Sequence, residues 1–131
     1  MGRNPLSVSP PSWLDIDADS YKRLLNRTAV TITKRARKQG ATYQVKEAID
    51  AIHAAFQRCD GTDPYDGQPL DRCLHDGQRS PTVSQVSTTT ASFEILSRQT
   101  KEAKGERNAE EFITHCRAVV AHADSALTAR P

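Results

Sequence analysis

The sequence is poor in the residues on which several protein classes depend. Of its 131 residues only 5% are aromatic, which limits the stacking of nucleic-acid bases on side chains. The three cysteines contain no Cys-x₂₋₄-Cys pair of the kind that structural zinc requires, and their odd number argues against a disulfide framework. The six glycines form neither a Walker loop nor a Gly-x-Gly-x-x-Gly motif, which argues against a phosphate-cradling loop.

Long apolar runs are also missing. No run approaches the roughly 18 residues that a membrane span needs, and the N-terminus lacks a signal-peptide pattern. We therefore expect a cytoplasmic protein with no membrane partner, in a reducing compartment that suits unpaired cysteines. The net charge of +2 by itself gives no reason to expect a nucleic-acid partner.

That small net charge is the average of two oppositely charged segments. Between Tyr21 and Lys46 the chain has no acidic residue and eight basic ones, namely Lys22, Arg23, Arg27, Lys34, Arg35, Arg37, Lys38 and Lys46. From Asp60 to Asp76 there are five aspartates and one arginine. A basic helix face can neutralise nucleic-acid phosphates, although a solvated helix face is the commoner reason for such a cluster.

Apolar spacing predicts an α+β fold with a helical N-terminal half, a small β-hairpin and a long C-terminal helix. The first helix is expected from about residues 17–20 to Gly40 and the second over residues 42–59. Residues 82–88 and 92–97 read as a hairpin, residues 100–106 as one helical turn, and Asn108 as the cap of the last helix. Residues 1–12 are predicted to be a flexible Pro/Ser arm, followed by a single domain over 13–131.

Metal sites are weakly supported by the sequence. Cys59, Cys73 and His75 are possible ligands beside several aspartates, but the two cysteines are 14 residues apart. The segment Asp63-Pro64-Tyr65-Asp66-Gly67 does not follow the ligand order of a calcium loop and is more typical of a turn. We expect neither a metal nor another cofactor.

Six short segments occur in an order that resembles a known family. They are Ile52-His53-Ala54-Ala55-Phe56, Asp63-Pro64-Tyr65-Asp66-Gly67-Gln68-Pro69-Leu70, Pro81-Thr82-Val83, Phe93-Glu94-Ile95, Thr100-Lys101-Glu102-Ala103-Lys104, and Glu111-Phe112-Ile113 with Cys116-Arg117. The stretch 51–122 resembles a bacterial branch of the HNH endonuclease-like (ββα-metal) proteins. The resemblance implies an HNH-like core, in which a hairpin and the following helix hold one divalent metal.

The chain departs from that family at the positions that the resemblance implies for metal binding and proton transfer. The resemblance implies Pro-Thr-Val-Asp-His-Val at residues 81–86, with the Asp binding metal and the His acting as general base. It implies Thr-Asn-Asp-Ala-Lys at residues 100–104. Here Ser84, Gln85 and Lys101 replace the Asp, the His and an Asn, and Gly105 replaces a second Asn. A hydroxyl cannot supply the anionic ligand and an amide cannot accept the proton, so we expect no catalysis by this degenerate site.

Three functions follow as expectations. The first is a non-catalytic module that contacts the DNA or RNA backbone. Its predicted phosphate-contacting residues are Lys34, Arg35, Arg37, Lys38, Arg98, Lys101, Lys104 and Arg107. The second is a protein-interaction decoy, inhibitor or regulatory subunit in a bacterial or phage system, for which the acidic stretch 60–76 gives some support. The third is a metal-dependent endonuclease with a relocated site around Asp71, His75 and Asp76, or around Cys59 and Cys73.

Overall fold

The structure, a computed structural model, describes residues 8–128. Its elements in chain order are α1 (Ala18–Arg37), α2 (Val45–Arg58), β1 (Pro81–Gln85), β2 (Phe93–Ser97), α3 (Arg98–Lys104) and α4 (Ala109–Thr128). The predicted α+β composition, with a helical N-terminal half, a hairpin and a C-terminal helix, is confirmed. Of the helices in this part of the chain, none has both the length and the apolar character needed to cross a bilayer.

Helix α1 begins and ends where its sequence predicts. The Asp17 carboxylate accepts a hydrogen bond from the Ser20 amide at 2.7 Å, which caps one of the free N–H groups of the first turn. Basic residues occupy the last turn, where they interact favourably with the helix dipole. Gly40 follows with φ of 96°, a conformation that residues with a Cβ rarely adopt.

Helix α2 packs against α1 and begins three residues later than the expected Thr42. Gln44 has an extended backbone, and its amide donates to the Glu47 carboxylate at 3.2 Å, so the first turn starts at Val45. The buried core between the helices includes Tyr21, Ile52 and Phe56. The Tyr21 hydroxyl lies 2.7 Å from Nδ1 of His53, so this histidine has an ordinary role at the edge of the core.

The segment before α1 docks on α2. The indole Nε1 of Trp13 donates to the Cys59 carbonyl at 2.8 Å, and its ring centroid lies 6.3 Å from that of Phe56. Leu14 is also buried, so this segment is anchored to the core. Within the predicted arm, residues 1–7 lie outside the described part of the chain, whereas Val8 packs on the core and the Ser9 carbonyl accepts from Gln57.

The two strands pair in antiparallel register, with Pro81 opposite Ser97 and Gln85 opposite Phe93. Strand β1 ends at Gln85, earlier than the expected residue 88, because the Ser87 hydroxyl accepts the Thr89 and Thr90 amides and starts the turn. A full helix, α3, replaces the expected single turn at 100–106. It begins directly after β2 because the Ser97 hydroxyl accepts the Thr100 amide at 3.0 Å and acts as an N-cap.

The chain divides into two compact units at the boundary between Lys101 and Glu102. In the second unit, Asn108 caps the last helix as predicted, and Glu111 completes a capping box, because each side chain accepts the other residue's amide, at 2.8 and 2.9 Å. Helix α4 has only the end of α3 beside it in this unit. Several of its apolar residues are exposed, from 40% for Ile113 to 63% for Leu127, whereas Phe112 and Cys116 are half-buried.

Candidate functional site

A groove between α1, β1 and the first turn of α3 is the strongest candidate for a site. It encloses about 340 Å³, and Phe56 and Leu74 complete its lining. Three cationic side chains line it: Arg27, Arg35 and Lys101. None of the described residues that line it is acidic. The groove therefore presents positive charge without a built-in counter-ion.

The helical periodicity of α1 explains which of its residues form one wall of the groove. Arg27, Thr31 and Arg35 are spaced by four residues, so they lie along one side of the helix at steps of about 6 Å. The adjacent row of α1 contributes Ile32, which is buried in the core. Within residues 8–128, neither arginine forms an ion pair. Both guanidinium groups are thus available to a ligand.

Lys101 closes the groove from α3. Its Nζ donates to the Val83 carbonyl at 3.0 Å, which fixes the amine against β1. Burial lowers the pKa of this amine, and the positive charge of Arg35 lowers it further. Holding a half-buried cation next to another cation is unfavourable unless an anion joins them, and such uncompensated charge is typical of functional sites.

The remaining basic residues predicted to contact phosphates do not share this groove. Lys34 and Lys38 are exposed on α1 but do not line it. One guanidinium nitrogen of Arg37 donates to the Gln44 side chain at 2.9 Å and to the Tyr43 carbonyl at 3.5 Å, so Arg37 joins the end of α1 to the start of α2. Of the predicted set, Arg35 and Lys101 are the two that line the groove.

The predicted residues near α3 have local structural partners. Arg98 donates to the Asp76 carbonyl at 2.7 Å and lies 3.8 Å from the Asp76 carboxylate. In the second unit, Lys104 is buried and donates to the Arg107 carbonyl at 2.6 Å, while Arg107 donates to the Ala103 carbonyl at 3.3 Å. These contacts stabilise the loop 71–80 and the end of α3.

Arg27 is a groove residue that the predicted set omits. The predicted set also omits three threonines that line the groove, namely Thr28, Thr31 and Thr82. The four-residue spacing of Arg27, Thr31 and Arg35 is a sequence signal that could have found the α1 wall. No local signal joins that wall to β1 and Lys101, because their proximity depends on tertiary packing.

The structure directs the side chains of the degenerate HNH positions differently. Ser84 and Gln85 are neighbours on β1 and therefore point to opposite faces of the hairpin. Burial raises the pKa of Tyr43, and both its hydroxyl and the Gln85 amide nitrogen are buried without a hydrogen-bond partner among residues 8–128. Lys101 is held at the Val83 carbonyl. Gly105, with φ of 59°, follows α3 in the second unit.

The acidic segment is organised around Asp63, which is fully buried. Its carboxylate accepts from the backbone amides of Tyr65 at 2.7 Å, Asp66 at 3.2 Å and Ser97 at 2.9 Å. Burial alone would raise the pKa of this carboxyl, but these amides and the hydroxyls of Ser97 and Thr100 outweigh burial and lower it. Asp63 therefore links the turn 63–70 to the end of the hairpin.

Two other aspartates of this segment also have side-chain partners. Asp66 forms a bidentate pair with Arg79, and Asp71 lies 2.6 Å from Nε2 of His75. Asp63, Asp66 and Asp71 thus face different partners.

The weak metal candidates have separate surroundings. The thiol of Cys59 lies 3.7 Å from the Thr62 carbonyl, and burial raises its pKa. Cys73 is exposed, and His75 pairs with Asp71. Across the part of the chain that the structure describes, no cluster of three or more His, Cys, Asp or Glu side chains is arranged to hold a metal.

Comparisons with known proteins leave the family open. No protein-family model, curated protein or solved structure matches this chain. The HNH-like relationship therefore stays a prediction from the ordered segments, and the geometry of the groove has to support any functional proposal.

Proposed function

We propose that this protein is a non-catalytic binding module that holds the phosphates of a nucleic acid in the groove formed by α1, β1 and Lys101. The observation that carries the proposal is the meeting of Arg27, Arg35 and Lys101 around one groove whose described lining contains no acidic residue. Two guanidinium groups and an ammonium can each donate to phosphate oxygens, and the hydroxyls of Thr28 and Thr31 add neutral donors.

The same geometry favours binding over catalysis. The replacements at Ser84 and Gln85 remove the carboxylate ligand and the imidazole base that the HNH resemblance implies. A fixed ammonium at Lys101 would repel a divalent cation from the Val83 carbonyl region that it occupies. We expect no nicking of supercoiled plasmid with Mg²⁺, Mn²⁺, Ni²⁺ or Zn²⁺. Metal-dependent nicking that disappears in His75→Ala would instead establish the relocated-site alternative.

Salt dependence tests the phosphate contacts directly. Each phosphate that the protein neutralises releases counterions, with a slope of log affinity against log salt of about −0.9 for duplex DNA and −0.7 for single strands. Three cations therefore predict a slope of roughly −2 to −3 in a titration of labelled DNA or RNA at several salt concentrations. Absence of binding at low salt would contradict the proposal.

The affinity should also depend on pH through Lys101. Because burial and Arg35 lower its pKa, the amine loses its proton at a lower pH than an exposed lysine, whose pKa is about 10.4. Loss of the proton removes one positive charge from the groove, so affinity should fall as the pH rises through the pKa of Lys101. Lys101→Arg keeps its charge and should retain affinity there. Parallel titrations at increasing pH compare the two proteins, and identical profiles would contradict a contact by Lys101.

A further inference from the structure

The size of the groove limits which part of a nucleic acid can enter it. At about 340 Å³ it lies near the lower end of the roughly 300–1,000 Å³ that ligand pockets span. One wall is α1 and the other is Pro81–Val83 of β1. A space of this size suits a single nucleotide, whereas a duplex backbone needs a broad exposed basic surface.

The lining combines charge with apolar side chains. Ile32, Phe56 and Val83 line the groove but are each at least nine-tenths buried, whereas Leu24 and Leu74 line it with partly exposed apolar surface. A duplex turns phosphates outward and keeps its bases paired, so it offers little to an apolar floor. An unpaired nucleotide exposes the face of its base and the edge of its sugar, which can both rest on apolar side chains. The mixed lining therefore favours a single strand.

The cations are distributed unevenly along the groove. Arg27 and Arg35 are eight residues apart on α1, which corresponds to about 12 Å. Lys101 is close enough to Arg35 for the two charges to interact. One end of the groove thus has two cations and the other has one. A terminal phosphate monoester carries about −1.5 to −2 charges at neutral pH, whereas an internal phosphodiester carries one.

We propose that the groove binds the phosphorylated end of a single nucleic-acid strand, with the terminal phosphate between Arg35 and Lys101. The terminal nucleotide rests on the partly exposed side chains of Leu24 and Leu74, and Arg27 contacts the next phosphate. This assignment rests on the proposed function and narrows its ligand to strand ends.

The test measures fluorescence anisotropy of the full chain with short oligonucleotides of one sequence, labelled internally. The strands carry a 5′-phosphate, a 3′-phosphate or hydroxyls at both ends, in DNA and RNA form, beside the corresponding blunt duplex. We expect one phosphorylated end to bind at least about tenfold more tightly than the hydroxyl-ended strand, and the duplex to bind more weakly than either. Arg35→Gln and Lys101→Gln should abolish this preference, while Arg27→Gln should weaken all single strands equally.

The outcomes separate this inference from the proposed function. Salt-dependent binding that is equal for phosphate and hydroxyl ends, or tighter for duplex, overturns the strand-end assignment and leaves the phosphate-binding module in place. Loss of end preference in Arg27→Gln, with the preference kept in Arg35→Gln, also overturns the assignment. Absence of binding to every strand at low salt overturns both proposals.

Discussion

Replacing Asp63 with alanine is expected to lower the free energy of unfolding by about 3–5 kcal/mol, because it leaves the donors around this buried carboxylate without their shared acceptor. The Tyr65, Asp66 and Ser97 amides all donate to this carboxylate, which is 0% exposed. Such a loss is a large share of the total stability of about 5–15 kcal/mol that a small domain has. Urea denaturation followed by circular dichroism measures it.

The pH dependence of stability gives an independent measurement of the same carboxylate. The pKa of Asp63 is lower in the folded chain than in the unfolded chain, so its contribution is complete above the unfolded value of about 3.9. That contribution is lost as the pH falls through the lower, folded value. Asp63→Asn cannot titrate, so its stability should change less than that of the wild type on acidification.

Asp60 provides a matched control in the same segment. It is exposed, and its carboxylate accepts from the amide and hydroxyl of Thr62 alone. Asp60→Ala should cost less than about 1 kcal/mol. Equal losses for Asp60→Ala and Asp63→Ala would show that Asp63 does not have the organising role that its contacts indicate.

Reversing the charge of both arginines on the α1 wall of the groove should weaken nucleic-acid binding by about 100-fold or more. Arg27→Glu with Arg35→Glu removes two phosphate contacts and adds two repulsive charges at the groove. Both side chains are exposed, so the fold should be retained. Anisotropy titrations at one salt concentration measure the loss, and a salt titration should show a shallower slope.

The same helix offers a control with an identical change in net charge. Lys34→Glu with Lys38→Glu also changes the charge by four, and both lysines are exposed outside the groove lining. This variant should lose much less affinity, because it affects binding only through the long-range field. If the two double variants lose affinity equally, binding follows the net charge of α1 and the groove has no special role.

The sequence predicts elements well where a local signal marks their ends. Gly40 marked the end of α1 and Asn108 marked the start of α4, and the structure confirms both. The predicted ends of elements were less accurate where a serine side chain accepts backbone amides and so starts or shortens an element. The Ser97 hydroxyl starts α3 directly from β2, and the Ser87 hydroxyl shortens β1. The sequence alone does not show which serine hydroxyl accepts a backbone amide, because that depends on where the neighbouring residues lie.

The candidate site was harder to predict because its members come from distant segments. The basic run made α1 a reasonable surface to consider, but charge alone could not separate Arg35 from Arg37, which joins two helices. Lys101 enters the groove because the Asp63 carboxylate accepts from Ser97 and holds the hairpin end against the turn 63–70. That buried connection spans 34 residues and has no signature in local sequence.

The docking of Trp13 on α2 gives the protein a built-in optical reporter. It is the chain's one tryptophan, so intrinsic fluorescence excited at the indole arises from a single known position. Its ring stacks on Phe56, and Phe56 also lines the groove. Emission from this residue therefore follows release of the N-terminal segment from the core, and it does so one side chain away from the place where we expect a phosphorylated strand end to bind.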